Sequence, residues 1–121
     1  MLSVIMPIWI KNDELYELTG NALASLFASY GWSNCEFIIV DNASPIGADQ
    51  LLPIADIYIR NKENLGYVKA VNQALKLANG DLVAVPNNDI RVSPNWINIA
   101  KEVFQRDKKS GSLHFKMVGY N

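Results

Sequence analysis

The sequence predicts an α/β domain with a mostly parallel sheet sandwiched by helices. Short apolar runs alternate along the chain with segments in which apolar residues recur at helical spacing. The apolar runs are nearly continuous, as expected of strands that are buried on both faces. Because helical segments lie between the runs, the chain order is that of a Rossmann-like parallel sheet, and we predict one such domain over residues 1–121.

Composition narrows the classes of function. The chain has 121 residues, of which 50% are hydrophobic and 19% charged, with a net charge of −1. A nucleic-acid-binding domain would carry a basic excess, so no nucleic acid partner is predicted. The single cysteine, Cys35, excludes an internal disulfide, and the single histidine, His114, cannot build a histidine metal site.

The apolar opening, "MLSVIMPIWI", is interrupted by Pro7 and lacks the features of a signal peptide. No apolar stretch reaches the ~20 residues of a membrane-spanning helix. We therefore expect a cytoplasmic protein, with attachment to a membrane surface left open.

Five strands are predicted, covering residues 2–8, 36–41, 56–61, 81–86 and 112–119, with loop residues at 42–47. Three helices separate them. The first runs from Asn12 as N-cap to about Tyr30, with its apolar stripe at Leu15, Leu18, Ala22 and Leu26, and stops at Gly31. The second runs from about Gly66 to Asn79, and the third starts at Ser93 and Pro94 and reaches about Gln105. On the second helix the expected apolar stripe is Val68, Val71, Leu75 and Ala78, widened by Ala70, Ala74 and Leu77.

Polar residues follow the predicted strands at their carboxyl ends, the edge at which open α/β sheets bind ligands. The first strand ends at Pro7-Ile8-Trp9, the second at Asp41-Asn42, the third at Asn61, followed by "KENLG", and the fourth at Asn87-Asn88-Asp89. The polar residues of all four ends should converge on one crevice. One carboxylate beside asparagines suits Mg²⁺ that also binds substrate phosphates. The alternative is structural, with Asp89 capping a turn and Asp41 forming an Asx-turn with Ser44.

Two familiar phosphate-binding motifs, G-x-G-x-x-G and G-x-x-x-x-G-K-[ST], are absent, which argues against a dehydrogenase and a P-loop NTPase. Other segments match a known pattern. "LSVIMPIW" is similar to V-S-V-I-I-P-T-Y-N, "CEFIIVDNAS" to E-I-I-V-V-D-D-G-S, and "NKENLGYVKAVNQALKLANGDLVAVPNNDIRVSPNW" to N-x-G-x-x-x-A-x-N-x-G-x-x-x-A-x-G-D-x-I-x-x-L-D-x-D-x-x-x-x-P-x-W. Across residues 2 to about 104 the chain resembles the nucleotide-sugar-binding N-terminal half of GT-A fold glycosyltransferases of family 2.

The resemblance implies roles on both sides of a bound nucleotide. Next to the base it places Pro7, Ile8 and Trp9, and it gives Asp41 a hydrogen bond to the base or its ribose. The loop beside the nucleotide would be shaped by Asn64 and Gly66. Lys69 would face the diphosphate, or else belong to a solvated helix surface. The D-x-D equivalent would be Asn87, Asn88 and Asp89, with Asp89 holding Mg²⁺ or Mn²⁺.

The implied reaction is transfer of a sugar, hexosyl or rhamnosyl, from a nucleotide-diphosphate sugar to an acceptor hydroxyl with inversion, as in polysaccharide biosynthesis. Donors of the UDP or dTDP type are preferred by the resemblance, and GDP stays open. The acceptor, whether sugar, lipid or protein, is not specified.

The chain departs from the family pattern at three places. Asn87 stands where the pattern has the first aspartate of D-x-D, and Ile8 stands where it has threonine. The third departure is length, since the family's acceptor site and catalytic base follow the segment matched here, so no catalytic residue is assigned. A second copy or a partner could cover the open acceptor side. The alternatives are an inactive nucleotide-sugar-binding module, a nucleotidyltransferase and a flavodoxin-like interaction domain.

Overall fold

The computed structural model describes residues 1–119, apart from the side chain of Leu52. Four strands form one parallel sheet: β1 (Leu2–Ile8), β2 (Cys35–Asp41), β3 (Ile57–Arg60) and β4 (Leu82–Ala84), in the order β3-β2-β1-β4. Three α-helices accompany it: α1 (Asp13–Phe27), α2 (Tyr67–Leu75) and α3 (Trp96–Arg106). The predicted α/β architecture with a parallel sheet is confirmed.

β1 is the centre of the sheet and all seven of its residues are buried. It pairs with β2 over its whole length, from Leu2 opposite Cys35 to Ile8 opposite Asp41. Side chains alternate between the two faces of a strand, and two core clusters follow from this alternation. Met6 packs in the cluster that contains α1 and α3 residues, whereas Ile5 packs in the cluster that contains α2 residues.

α1 begins as the sequence predicts. The side chain of Asn12 accepts a hydrogen bond from the backbone N–H of Leu15 at 2.8 Å, which satisfies one of the unpaired donors at the helix start. The helix ends at Phe27, three residues before the predicted end at Tyr30. Gly31 follows in the left-handed conformation, at φ 83°, and starts a 3-10 turn over Trp32–Asn34.

The predicted apolar stripe of α2 was right for Ala70 and Ala74 and wrong for Val68 and Leu75. Val68 is 68% exposed and Leu75 is 43% exposed, whereas Ala70 and Ala74 are completely buried. The contact runs along the alanines, whose small side chains allow a helix backbone to approach β1 and β2 closely. The helix is also shorter than predicted, since it ends at Leu75. A helical pattern alone therefore did not distinguish the packed face from its neighbour.

The second half of the chain also differs from the prediction at its boundaries. β4 spans only Leu82–Ala84, the three residues that pair with β1. α3 begins at Trp96, and Ser93 contributes its backbone carbonyl to a turn, 3.1 Å from the Trp96 nitrogen, instead of a side-chain cap. An unpredicted 3-10 helix, Ala48–Ile54, links β2 to β3.

The fifth strand predicted at 112–119 does not form among the described residues. A strand needs an adjacent strand whose backbone groups it can pair with. This segment instead lies beside α3, where the ring of Phe115 packs edge-on against Trp96 at a centroid distance of 6.4 Å. Met117 and Val118 are exposed.

Candidate functional site

A cleft of about 270 Å³ lies at the carboxyl ends of β1 and β2, beside the start of α2. Six residues that the sequence places at the nucleotide line it, namely Pro7, Ile8, Trp9, Asn64, Gly66 and Asn88. The lining comes from four segments that are distant in sequence. Of the polar strand-end residues predicted to converge, Asn42 and Asn88 line the cleft, whereas Asp41, Asn61, Asn87 and Asp89 do not. The cleft also has two lining residues to which the resemblance gives no role, Asn42 and Tyr67.

Asp41 is completely buried, and its carboxylate is occupied by the chain itself. It accepts hydrogen bonds from the backbone N–H of Ser44 at 2.9 Å and from the Tyr58 hydroxyl at 2.9 Å, and it forms an ion pair with Arg60. Burial, followed by the contact with Asp41, raises the pKa of Tyr58, so this phenol stays a proton donor. The Ser44 hydrogen bond is the one that the structural alternative for Asp41 requires.

Asn42 faces the cleft where Asp41 does not, because adjacent strand residues point to opposite sides of a sheet. Asp41 continues the side occupied by Phe37 and Ile39, whereas Asn42 follows Ile38 and Val40. Asn42 is only 4% exposed and holds the neighbouring loop, since its Nδ2 donates to the Gly66 carbonyl at 3.2 Å. This alternation was the signal in the sequence that could have selected Asn42.

Two aromatic rings stand at the cleft with much of their surface exposed, Trp9 at 43% and Tyr67 at 54%. The Lys11 ammonium lies 5.9 Å from the centroid of the Trp9 ring, which is within cation–π range. Gly66, at φ 85°, precedes Tyr67 and starts α2. Exposed aromatic rings beside polar amides are suited to a flat ring that carries hydrogen-bonding edges.

The segment Asn87-Asn88-Asp89 lies beyond the end of β4. Asn88 lines the cleft and donates through its Nδ2 to the hydroxyl of Thr19 on α1, at 2.9 Å. Asn87 and Asp89 are exposed, and Asn88 and Asp89 form a turn. Within residues 1–119 no three histidine, cysteine, aspartate or glutamate side chains come together in a metal-binding cluster.

Lys69 is exposed in the first turn of α2 and does not line the cleft. Among the described residues, the lining consists of apolar, aromatic and amide side chains without a formal charge. Two charged side chains accompany lining residues: Lys11 lies near the Trp9 ring, and Asp89 follows Asn88 in the sequence. Such a site suits a ligand whose uncharged ring lies inside the cleft and whose charged groups lie outside it.

The family model for glycosyl transferase family 2 matches residues 3–118. The chain belongs to this family. It is 36% identical to the uncharacterized glycosyltransferase YfnE of Bacillus subtilis (strain 168) over 100 residues, which are 78% of this chain and 24% of that protein. The sheet and its helices therefore belong to a GT-A fold.

Solved structures agree on the fold. TarS residues 1–349 of S. aureus, in complex with UDP-GlcNAc, superposes with a TM-score of 0.74 at 21% identity, covering 87% of this chain and 31% of that one. The mannosyltransferase PcManGT of Pyrobaculum calidifontis, in complex with GDP-Man and Mn²⁺, has a TM-score of 0.72 at 22% identity, covering 85% and 32%. The chain thus spans about a quarter to a third of the length of these relatives.

None of the described helices has both the length and the apolar character that crossing a membrane would require.

Proposed function

We propose that this chain is the donor-binding half of a glycosyltransferase that uses a nucleotide-diphosphate sugar, and that the cleft holds the nucleoside. The observation that carries the proposal is the composition of the cleft, in which Trp9 and Tyr67 stand beside the amides of Asn42, Asn64 and Asn88. Family membership supports it, as do the UDP-GlcNAc and GDP-Man complexes of the structural neighbours. Donors of the UDP or dTDP type remain the preferred class, and hexosyl or rhamnosyl transfer the preferred reaction.

The base would stack on the exposed aromatic surface. Stacking of one base on an aromatic side chain contributes about 1–3 kcal/mol. Trp9 has its role from the resemblance, and Tyr67 gains one from its place in the cleft. Asn42 takes the base-facing place that the resemblance gives to Asp41, because Asp41 is buried with its oxygens already accepting hydrogen bonds.

Asp89 would hold the divalent cation, with Asn87 and Asn88 beside it. The residues fit such an ion, since Mg²⁺ is typically held by one or two protein carboxylates together with substrate phosphates. Asp89 is exposed and next in sequence to Asn88, which lines the cleft, so a diphosphate leaving the cleft would pass close to it. Bound there, Mg²⁺ or Mn²⁺ would offset the negative charge of the departing diphosphate.

Inversion at the sugar requires a base that activates the acceptor hydroxyl. No carboxylate among the described residues lines the cleft. This observation favours a second candidate, a nucleotide-sugar-binding module without turnover of its own. We propose for either case a cytoplasmic protein whose acceptor side is covered by a second copy or a partner.

Calorimetric titration with UDP, dTDP and GDP, with and without Mn²⁺, tests the proposal. We expect at least one of these nucleotides to bind, and more tightly with Mn²⁺. The absence of binding by the folded protein to all three would contradict the proposal. Release of UDP from UDP-sugars in the presence of candidate acceptors then separates the enzyme from the binding module.

A further inference from the structure

Three amide side chains form a continuous hydrogen-bonded chain behind the cleft: Asn42, Asn61 and Gln73. Asn61 Nδ2 donates to Asn42 Oδ1 at 2.9 Å and to Gln73 Oε1 at 2.8 Å, and Gln73 Nε2 donates back to Asn61 Oδ1 at 2.8 Å. Asn42 and Asn61 are 4% and 9% exposed. The chain joins the ends of β2 and β3 to α2, and only its first member lines the cleft.

The backbone determines which way the amide of Asn42 points. The N–H of Leu65 donates to Asn42 Oδ1 at 3.4 Å, and the carbonyl of Gly66 accepts from Asn42 Nδ2 at 3.2 Å. A backbone N–H can only donate and a carbonyl can only accept. These two groups therefore favour one placement of the oxygen and the nitrogen of Asn42, through hydrogen bonds that are longer than the one from Asn61.

Asn61 and Gln73 reinforce that orientation. Asn61 gives one Nδ2 hydrogen to Asn42 and the other to Gln73, and its oxygen accepts from Gln73. If Asn61 turned over, all three of these hydrogen bonds would lose their match of donor to acceptor. Gln73 thus stabilises the orientation of the Asn61 amide, and Asn61 stabilises that of the Asn42 amide.

The consequence for the cleft follows from the hydrogen-bonding capacity of an amide. The oxygen of Asn42 already accepts two hydrogen bonds, from Asn61 and Leu65. Its Nδ2 carries two hydrogens, of which one goes to Gly66. The polar group that Asn42 has left for a ligand is an N–H donor, whereas an aspartate at this position would present an acceptor.

We propose that Asn61 and Gln73 are positioning residues that hold Asn42 as a donor toward the cleft, and that the cleft thereby selects bases with a carbonyl oxygen, instead of an amino group, at the position facing Asn42. Uracil, thymine and guanine carry a carbonyl at the position where cytosine and adenine carry an amino group. An amino group opposite the Asn42 N–H leaves two donors face to face, and an unmade hydrogen bond of this kind weakens binding about tenfold. The inference rests on the proposed function, since it assumes that the nucleoside occupies the cleft.

The test is a panel of nucleoside diphosphates in two matched pairs, UDP with CDP and GDP with ADP, titrated by calorimetry in the presence of Mn²⁺. Three variants accompany the wild type. In Asn61→Asp, position 61 can only accept, so the Asn42 oxygen would face a carboxylate. Turning Asn42 over restores a hydrogen bond to position 61 and gives up the longer ones to Leu65 and Gly66. Gln73→Leu removes the outer support and serves if Asn61→Asp does not fold. Asn79→Ala is the control, because Asn79 donates to Glu36 at the opposite edge of the sheet.

The wild type and Asn79→Ala should bind the carbonyl member of a pair about tenfold more tightly than the amino member. Asn61→Asp should abolish or reverse this ratio, and Gln73→Leu should reduce it. Equal affinities within both pairs for the wild type would overturn the inference, as would variants that weaken both members of a pair equally. Binding of none of the four nucleotides would instead contradict the proposed function, and the inference would fall with it.

Discussion

The two edges of the sheet use similar polar groups in opposite ways. The amino edge is the one at which the strands begin, and the carboxyl edge is the one at which they end. At the amino edge, the Glu36 carboxylate accepts hydrogen bonds from the Ser3 hydroxyl at 2.6 Å and from the backbone and side-chain nitrogens of Asn79 at 2.9 and 2.7 Å. At the carboxyl edge, the amides of Asn42 and Asn88 bond to their neighbours and also line a cleft. The first edge is closed by the chain's own groups, and the second leaves hydrogen-bonding capacity to a ligand.

The comparison shows that residue type is a weaker guide to function than unused hydrogen-bonding capacity. Asp41 lies at the carboxyl edge, yet it resembles Glu36, because its carboxylate is bonded to Ser44, Tyr58 and Arg60. Buried polar groups that are fully paired stabilise a fold, whereas lining groups with a spare donor can bind. Variants at the amino edge should therefore change stability, and variants at the carboxyl edge should change binding.

Gly80→Ala should give the largest effect and confine it to stability. A β-carbon at position 80 would lie 2.6 Å from the Ser3 nitrogen and 2.7 Å from the Met1 carbonyl oxygen, both backbone atoms. Relieving the clash requires the strands to separate, so we expect a loss of about 3 kcal/mol in the free energy of unfolding. Urea denaturation measures it. Unchanged stability would mean that the amino edge is looser than the structure implies.

Trp9→Ala and Tyr67→Ala should weaken nucleotide binding without a comparable loss of stability. Each removes an exposed ring at the cleft, and we expect a rise in the Kd for UDP of about tenfold per ring, from the stacking contribution of about 1–3 kcal/mol. Calorimetry measures the change. Tyr30→Ala is the matched control, since Tyr30 is 62% exposed and does not line the cleft. An equal effect of Tyr30→Ala would contradict the assignment.

Glu36→Gln should change the pH dependence of stability. Hydrogen bonds from the Asn79 backbone and from Ser3 lower the pKa of Glu36 below its usual value of 4.5. A lowered pKa in the folded state stabilises the fold above 4.5, and this stabilisation is lost as the pH falls through the folded pKa. We expect Glu36→Gln to cost less than about 1 kcal/mol at pH 7, because solvent screens the group, and nothing at strongly acidic pH.

Chemical denaturation of the wild type and Glu36→Gln at a series of pH values gives this difference directly. A constant difference from pH 7 down to pH 2 would show that the ionised carboxylate makes no special contribution at the amino edge.

Ala43→Gly should give the smallest effect and the only gain. Ala43 lies in the left-handed region at φ 63°, where the family pattern D-D-G-S has glycine. Glycine relieves the strain of about 1 kcal/mol but makes the unfolded chain more flexible, so we expect a gain of about 0.5 kcal/mol. Thermal denaturation measures it, with Ala24→Gly in α1 as the control that should lose stability. A loss in Ala43→Gly would mean that the loop after β2 carries no strain.

The sheet was predictable from the sequence because its strands are short apolar runs between helical segments. Such runs are typical of strands in a parallel sheet that is buried on both faces. β1 and β2 match their predicted ranges to within one residue. The packed face of α2 was predicted only as part of a wider apolar stripe. Its contact uses Ala70 and Ala74, and alanine in a helix carries little information about which side is buried. The segment 112–119 has a strand-like composition, but composition does not supply a partner strand.

The candidate site was predictable at positions where the backbone ends a strand or turns. Pro7, Ile8, Trp9, Asn64, Gly66 and Asn88 lie together because the carboxyl ends of parallel strands share one edge. Asn42 was predicted at the crevice as a strand-end residue, but choosing it over Asp41 required the alternation of β2 to be followed one residue further. Tyr67 has no pattern of its own, since its exposure depends on the direction that Gly66 gives to the start of α2.

The most direct test of the account is UDP binding by the wild type, Asp89→Ala and Asn87→Ala, each titrated with and without Mn²⁺. We predict that Mn²⁺ tightens UDP binding to the wild type and to Asn87→Ala, and that Asp89→Ala loses this gain while keeping the metal-independent part. The opposite result would be an Asp89→Ala variant whose UDP affinity still rises with Mn²⁺ as much as that of the wild type. It would contradict the central claim, that the carboxyl edge forms a nucleotide cleft with Asp89 as its metal ligand.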